Sequence, residues 1–403
     1  MKVIYIGTIV PNDYINNYPS TSVAANNFQS GLLKGIAKDK KIKLKIYSVP
    51  ARRGWPGKSS VFFSRNENLP FYYGLNVSIL SFINIKFYKE ISIRFHTFCS
   101  LLKELCLKSH EKCCIISYNG DGRLTASIRF LRHFLNFKYI CMVVDPPEYK
   151  GTTSRKGMLW KKIYQYNKNA YMKSVYAADA LVVLNKSFIT INKIKSKYIV
   201  IDGGISLDEI ETIKHEKPRV YYDKKNFNIV FTGTLHEHSG VLRLIDMFEQ
   251  SNIQGALLHI YGSGVDQVKV KQRADRNTKI IYHGPVDFNT AISAQYEADL
   301  LICPNPITHP INQVAFPSKL IEYLGSNTPI LVTKLPSIGL EYNDAVVFYD
   351  DTLDDFKVKV KMIMNMSNNA LNVLTENAMH LAHDSKEWDA QSKKLLKLIK
   401  DTI

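Results

Sequence analysis

The run FPSKLIEYLGSNTPILVT, residues 316–333, gathers the residue types most suited to chemistry. Pro317 suits a first helical turn, where its missing N–H costs nothing. Ser318 and Lys319 then stand at a helix N-terminus. Its free N–H groups and positive dipole end suit a diphosphate, and Lys319 adds a point charge. Glu322 lies one turn on, where a carboxylate can accept hydrogen bonds from a ribose diol. Gly325 closes the helix and Pro329 opens the next strand. The same letters would serve a plain surface helix with a proline start and a glycine stop. Order favours the chemical reading. VFTGTLHEHSGVLRLIDMF (230–248), LHIYGSG (258–264) and IIYHGPV (280–286) precede the run, each a strand passing into a glycine turn. Glycines in such turns let a backbone approach a ligand closely.

In the first half, Asp145 ends YICMVVD and is followed by Pro146–Pro147–Glu148. It is the acid at a strand's carboxyl end in this half, and a cap or a site role would both fit. The cysteines 99, 106, 113, 114, 141 and 303 form no CxxC pair and have no histidines at zinc-ligand spacing. Buried free thiols are the expectation, with no metal site and no disulfide. Lys and Arg total 53 against 36 acids, a net charge of +17. Such a balance suits phosphorylated small molecules, an anionic membrane or nucleic acid. The excess is scattered, with clusters at 34–45, 150–173 and 393–400, and no nucleic-acid motif accompanies it, so nucleic acid is set aside. No run approaches the roughly 18 apolar residues that span a bilayer. The start, MKVIYIGTIVP, reads as a first strand rather than a signal peptide. A cytoplasmic protein is expected, with a peripheral position at the inner face of the cell membrane as an extension of that reading.

The elements that position these residues alternate strand and helix. Strands are expected at 2–8, 43–49, 113–119, 139–145, 180–185 and 198–204, with helical patterns such as 22–38 and 157–179 between them. The series restarts at 228–233 and continues through 256–262, 279–286, 300–305, 329–333 and 345–349. The strands are almost continuously apolar, as in parallel sheets covered on both faces. This pattern predicts an α/β chain of two Rossmann-like domains with parallel sheets, facing each other across one cleft. Domains are expected at 1–205 and 206–385, with the polar stretch 206–227 as linker. The amphipathic helix in 386–403 has the option of crossing back to the N-terminal domain. Residues 50–112 break the regularity, and two readings stay open: an insertion packed on the domain, or an acceptor- or membrane-facing element.

With these motifs in this order, the chain resembles GT-B glycosyltransferases, specifically family 4 of the retaining enzymes. It is similar to bacterial capsule and exopolysaccharide members that carry FPSK before the helix glutamate. The likeness is good over about 228–335 and general over the N-terminal half. It implies transfer of a sugar from a nucleotide diphosphate donor, UDP favoured, to a glycan or polyprenyl-linked acceptor in surface polysaccharide synthesis. It also implies roles. Gly233 and Thr234 would face the donor phosphates, and the Tyr282–His283–Gly284–Pro285 turn would lie by the nucleobase. Ser318 and Lys319 would bind phosphate, and Glu322 would hold the ribose. Gly7 and Thr8 would form the N-terminal loop near the donor phosphates and the acceptor. Asn119 stands about where many members have a histidine near the transferred sugar, and it joins Asp145 as a candidate catalytic residue.

The chain departs from the family in three places. Val314 replaces the first glutamate of the family's pair, Thr234 replaces an arginine, and Ser239 replaces a lysine. His236, His238, Arg243 or Lys319 would have to substitute as neutralising groups. With no DxD-like acid pair in a donor loop, no metal or other cofactor is expected. A GT-B pseudoenzyme serving a partner transferase and a sugar-nucleotide epimerase are the alternatives.

Overall fold

The computed structural model describes the chain apart from residues 57–60, 86–87, 107–110, 148–156 and 216–219. Glu148, residues 216–219 of the expected linker, parts of the irregular stretch 50–112 and the start of the 150–173 basic cluster therefore lie outside the described residues. The chain divides into two compact units. Unit one is Met1–Ile201 with Trp388–Ile403, and unit two is Asp202–Glu387. The sequence placed the divisions after 205 and 385.

Unit one begins β1 (Lys2–Gly7), α1 (Val23–Ala37), β2 (Lys43–Ser48), β3 (Phe63–Ser64), β4 (Glu67–Pro70), β5 (Asn76–Ile79), β6 (Phe82–Ile83) and α2 (Tyr88–Cys106). It continues β7 (Cys113–Tyr118), α3 (Gly122–Leu131), β8 (Lys138–Val143), α4 (Met158–Tyr176), β9 (Ala180–Val183), α5 (Lys186–Ile191) and β10 (Lys197–Val200). Among the described residues, its main sheet has the order β10-β9-β8-β7-β1-β2-β5-β4, and only β4 is antiparallel to its neighbour. Both faces are apolar, which explains the continuous hydrophobic runs. Val3 and Tyr5 join one core with Ile46 and Ile116, while Ile4 and Ile6 join the other with Ile115 and Tyr139. The irregular stretch 50–112 resolves in part into sheet. The β4–β5 hairpin extends the edge beyond β2, and α2 packs on α3.

Unit two runs α6 (Leu207–His215), β11 (Phe227–Thr232), α7 (Val241–Ser251), β12 (Ala256–Tyr261), α8 (Gln267–Ala274), β13 (Ile280–Gly284) and α9 (Phe288–Tyr296). It continues β14 (Leu300–Cys303), α10 (Ser318–Leu324), β15 (Ile330–Thr333), β16 (Val347–Tyr349), α11 (Leu353–Met364) and α12 (Asn368–Leu381). Its sheet is parallel in the order β13-β12-β11-β14-β15-β16, the doubly wound arrangement. The expected linker 206–227 is not a plain linker. Ile210 and Ile213 share a face and are buried, so 207–215 folds as α6 against α9.

The last helix, α13 (Trp388–Thr402), belongs to unit one and packs on α1. Two glycines one turn apart make its seat. A Cβ on Gly31 would lie 2.1 Å from the Trp388 indole, and one on Gly35 would lie 2.1 Å from the Ser392 hydroxyl oxygen. The two points where the chain passes between units adjoin within unit two. The Ile205 N–H donates to the Lys386 carbonyl at 2.9 Å, and the buried Lys386 ammonium pairs with Asp202, which also accepts from the Tyr342 hydroxyl at 2.6 Å.

Candidate functional site

In a doubly wound sheet, ligands bind outside the carboxyl ends of the strands where the winding reverses. In unit one that point lies between β1 and β7, where Gly7, Thr8 and Asn119 stand. The turn after β1 is fixed from below by Gln29 on α1, which is 1% exposed. Its Oε1 accepts from the Thr8 N–H and the Tyr5 hydroxyl, each at 2.9 Å, and its Nε2 donates to Thr8 Oγ1 at 3.1 Å. A Cβ on Gly7 would come within 2.4 Å of Gln29 Oε1, so the glycine admits this clamp. Asn26, fully buried, exchanges two 2.8 Å bonds with the Val10 backbone.

Asn119 adopts the left-handed conformation, φ 62°, a region that asparagine tolerates better than most residues. Its Oδ1 accepts from the backbone N–H groups of Val144 and Asp145, both at 2.9 Å, and from the Tyr171 hydroxyl at 3.4 Å. The side chain thus ties the turn after β7 to the turn after β8. The structure joins the two candidate catalytic residues of the sequence reading in this way, with Asn119 positioning the backbone of the exposed Asp145. Beneath them the Tyr118 hydroxyl is buried with no partner among the described residues. Burial raises its pKa, and the Asp145 charge adds to the shift.

In unit two the winding reverses between β11 and β14. There Gly233 closes on α10, and a Cβ on it would lie 3.9 Å from Lys319 Cγ. Lys319 Nζ and Glu322 Oε1 are 2.7 Å apart, and Gln295 Nε2 donates to the same carboxylate oxygen at 2.6 Å. Gln295 also donates to Thr232 Oγ1 at 3.0 Å, while its Oε1 is buried without a partner. The Tyr323 hydroxyl accepts from the Thr232 N–H at 2.9 Å and closes the group from below. Gly233, Lys319 and Glu322 are therefore brought together. Sequence reasoning missed Gln295 and Thr232. Gln295 lies in the last turn of α9, within AISAQYEADL, where the available signal is a polar residue on the face of α9 that carries Ile292. Ser318 begins α10, with Pro317 at the N-cap, one place earlier than expected.

Other expected residues stand differently. Thr234 is exposed. Tyr282 donates its hydroxyl to the Gly262 carbonyl at 2.8 Å. His283 stacks on Tyr261 at 4.1 Å, with Nε2 3.0 Å from His259 Nδ1, so its ring is engaged with β12. Gly284 takes φ 77° and precedes the exposed Pro285. The turn glycines serve backbone packing. A Cβ on Gly262 would sit 1.8 Å from the Gly233 carbonyl oxygen, and one on Gly264 would sit 2.3 Å from that of Leu235. Among the proposed substitute cations, Arg243 is bound to Asp351 through its Nε and to the Asp351 carbonyl. Val314 is buried.

Residues 226–365 match the family described as glycosyl transferases group 1. The chain is 23% identical over 256 residues to an uncharacterized glycosyltransferase of Methanocaldococcus jannaschii, a match over 60% of this chain and 64% of that relative. The chain thus spans less than two thirds of the curated relative's length. Solved structures resemble it throughout. A sucrose-phosphate synthase of Thermosynechococcus elongatus superposes with TM-score 0.68 at 11% identity, over 100% of this chain and 99% of that one. The apo lipopolysaccharide outer core galactosyltransferase WaaB gives 0.64 at 14% identity, over all of both chains. A trehalose-6-phosphate protein of E. coli bound with UDP-2-fluoro glucose gives 0.67 at 9% identity, again over all of both. The two-unit α/β fold with parallel sheets matches that of GT-B glycosyltransferases, and the segment of unit two that is similar to glycosyl transferases group 1 contains α10.

Proposed function

We propose that the chain is a retaining GT-B glycosyltransferase. It moves a sugar from a nucleotide diphosphate donor, UDP-sugar favoured, to a glycan or lipid-linked acceptor in surface polysaccharide synthesis. One observation carries this reading: Lys319 and Glu322 meet beside Gly233 at the switch point of unit two, inside the matched segment 226–365. A carboxylate there can hold a ribose diol while the lysine and the backbone N–H groups of the turn face phosphate. The uridine nucleotide on the E. coli protein of like fold supports UDP. The basic balance of the chain supports a station at an anionic membrane.

A panel of nucleotides and nucleotide sugars tests the reading by thermal shift, because a ligand that binds only the folded state raises apparent stability. One nucleoside diphosphate and its sugar conjugate should raise the melting temperature, and no response to any of them contradicts the proposal. Transfer should persist under EDTA. Loss of turnover on chelation, restored by magnesium or manganese, would show that a cation holds the diphosphate instead. Buried Val314 and the Arg243–Asp351 pair favour one second reading, a binding subunit of another transferase. It predicts no detectable binding of a nucleotide sugar.

A further inference from the structure

Three histidines at the switch point of unit two form a group of their own. His236 and His238 come from the turn between β11 and α7, and His309 comes from the stretch between β14 and α10. The rings of His236 and His238 stack with centroids 5.4 Å apart, and the His309 ring lies 6.0 Å from that of His238. All three are half-buried.

The surroundings fix them in place. Asn305 and Asn312 both donate side-chain amides to the His238 carbonyl, at 3.1 and 2.9 Å, and Asn312 also donates to the Pro306 carbonyl at 2.9 Å. The two loops touch through backbone, since a Cβ on Gly240 would lie 1.9 Å from the Pro304 carbonyl oxygen. The Ile311 N–H donates to His309 Nδ1 at 3.3 Å. That bond leaves Nε2 of neutral His309 as the N–H donor.

Of the cations nearby, Arg243 is held by Asp351, and Lys319, the phosphate-facing lysine of the proposed donor site, has its charge partly offset by Glu322. Positions 234 and 239 carry threonine and serine, and Ser239 directs its hydroxyl to the Thr234 and His236 carbonyls. No group of three or more His, Cys, Asp or Glu among the described residues is arranged to hold a metal ion. An anion placed at this switch point would therefore meet imidazoles.

We infer that His236, His238 and His309 together bind the diphosphate of a nucleoside diphosphate, donating imidazole N–H bonds to its phosphate oxygens. This inference rests on the proposed donor site and names the groups that join Lys319 in binding its phosphates. The charged groups that act on His238 are His236 and Glu237 on its own turn and His309 on the facing loop. Burial first, then the two neighbouring imidazoles, lowers its pKa, so His238 is charged less readily than an ordinary histidine. A bound diphosphate favours the protonated form of His238, so binding takes up a proton.

The test is calorimetric titration of UDP, UMP and uridine, with GDP in parallel, into wild type, His309→Gln and the double variant His238→Gln/His309→Gln. Titrations run at about pH 6 and pH 8, bracketing the ordinary histidine range. UDP ionises in the same range, so variants are compared with wild type at each pH. The double variant should lose about ten- to a hundredfold in UDP affinity at the lower pH, with uridine nearly unchanged. The extra affinity of wild type on acidification should shrink with it. His309→Gln alone, a loop substitution, should show a smaller loss of the same kind and guards against misfolding of the double variant. Folded variants that bind UDP like wild type at both pH values overturn the inference. If Glu322→Gln weakens UDP while the histidine variants do not, only this inference fails. If wild type binds no nucleotide, the donor reading and this inference fall together.

Discussion

The meeting of Lys319 and Glu322 was legible because it depends on local spacing, three residues apart after a proline start. Gln295 and Thr232, which complete the group, were not, because only the tertiary fold brings α9 and β11 beside α10. Asn119 shows the same limit. The resemblance placed it near the transferred sugar, but a lone asparagine after a strand is also a frequent left-handed turn residue. The structure uses its carbonyl to hold the Val144 and Asp145 N–H groups. His259 was invisible as a polar residue within an apolar strand. It is buried, with Nε2 3.1 Å from Asn228 Oδ1 and its ring 4.3 Å from that of Tyr222. Burial, then the neighbouring His283, lowers its pKa to about 4. The folded pKa is below the unfolded value of about 6.5, so the unfolded chain binds the proton more readily. Stability is full above that range and falls as pH drops toward 4. At about 1.36 kcal/mol per unit, up to roughly 3 kcal/mol is lost. Urea unfolding at stepped pH should show this slope, and His259→Gln should flatten it. An unchanged slope in the variant would assign the acid sensitivity elsewhere.

At the level of elements, the central parallel strands were legible, since each is a short apolar run ended by a turn, whereas β3 to β6 within 50–112 were not, being strands of two to four residues without such a run. The purpose of the glycines was not. Gly262 and Gly264 read as ligand-facing residues, yet they pack turn backbone against turn backbone. Gly31 and Gly35, within α1, form the seat of α13. Two effects compete on replacing Gly31 with alanine. Helix propensity gains about 1 kcal/mol. Overpacking against the Trp388 indole costs about 1–3 kcal/mol, and an indole offers no flexible end to move aside. The clash should win, and Gly31→Ala should loosen α13. Limited proteolysis should then cut within 388–403 faster than in wild type, and equal or slower cleavage would contradict the assigned packing.

Over the whole molecule, two α/β units were legible from the restart of the strand series. That α6 occupies the expected linker was not, because a nine-residue helix that buries two isoleucines, Ile210 and Ile213, looks polar in sequence. None of the described helices is long and apolar enough to cross a membrane. The charge of +17 instead favours an anionic surface. Unit one exposes Phe95, Phe130 and Phe134, the last two with ring centroids 5.2 Å apart, on and beside α2 and α3. Each nearby Lys or Arg contributes about 1 kcal/mol at such a surface, screened within a Debye length of about 10 Å at 0.1 M salt. Sedimentation should therefore show binding to anionic vesicles at low salt that weakens steeply as salt rises. Equal binding to neutral vesicles would remove the electrostatic account.

The central claim, that unit two binds a nucleotide diphosphate through α10, is tested most directly by calorimetric titration of wild type, Glu322→Gln and Lys319→Ala with UDP, UMP and a UDP-sugar. Removing a charged hydrogen-bonding partner costs about 1.5–3 kcal/mol, or roughly ten- to a hundredfold in affinity. Glu322→Gln should weaken UDP and the UDP-sugar alike, and Lys319→Ala should weaken UDP more than UMP. If the pair is only a surface ion pair, either change shifts stability by less than about 1 kcal/mol and leaves binding untouched. Wild-type affinities in both folded variants would contradict the account.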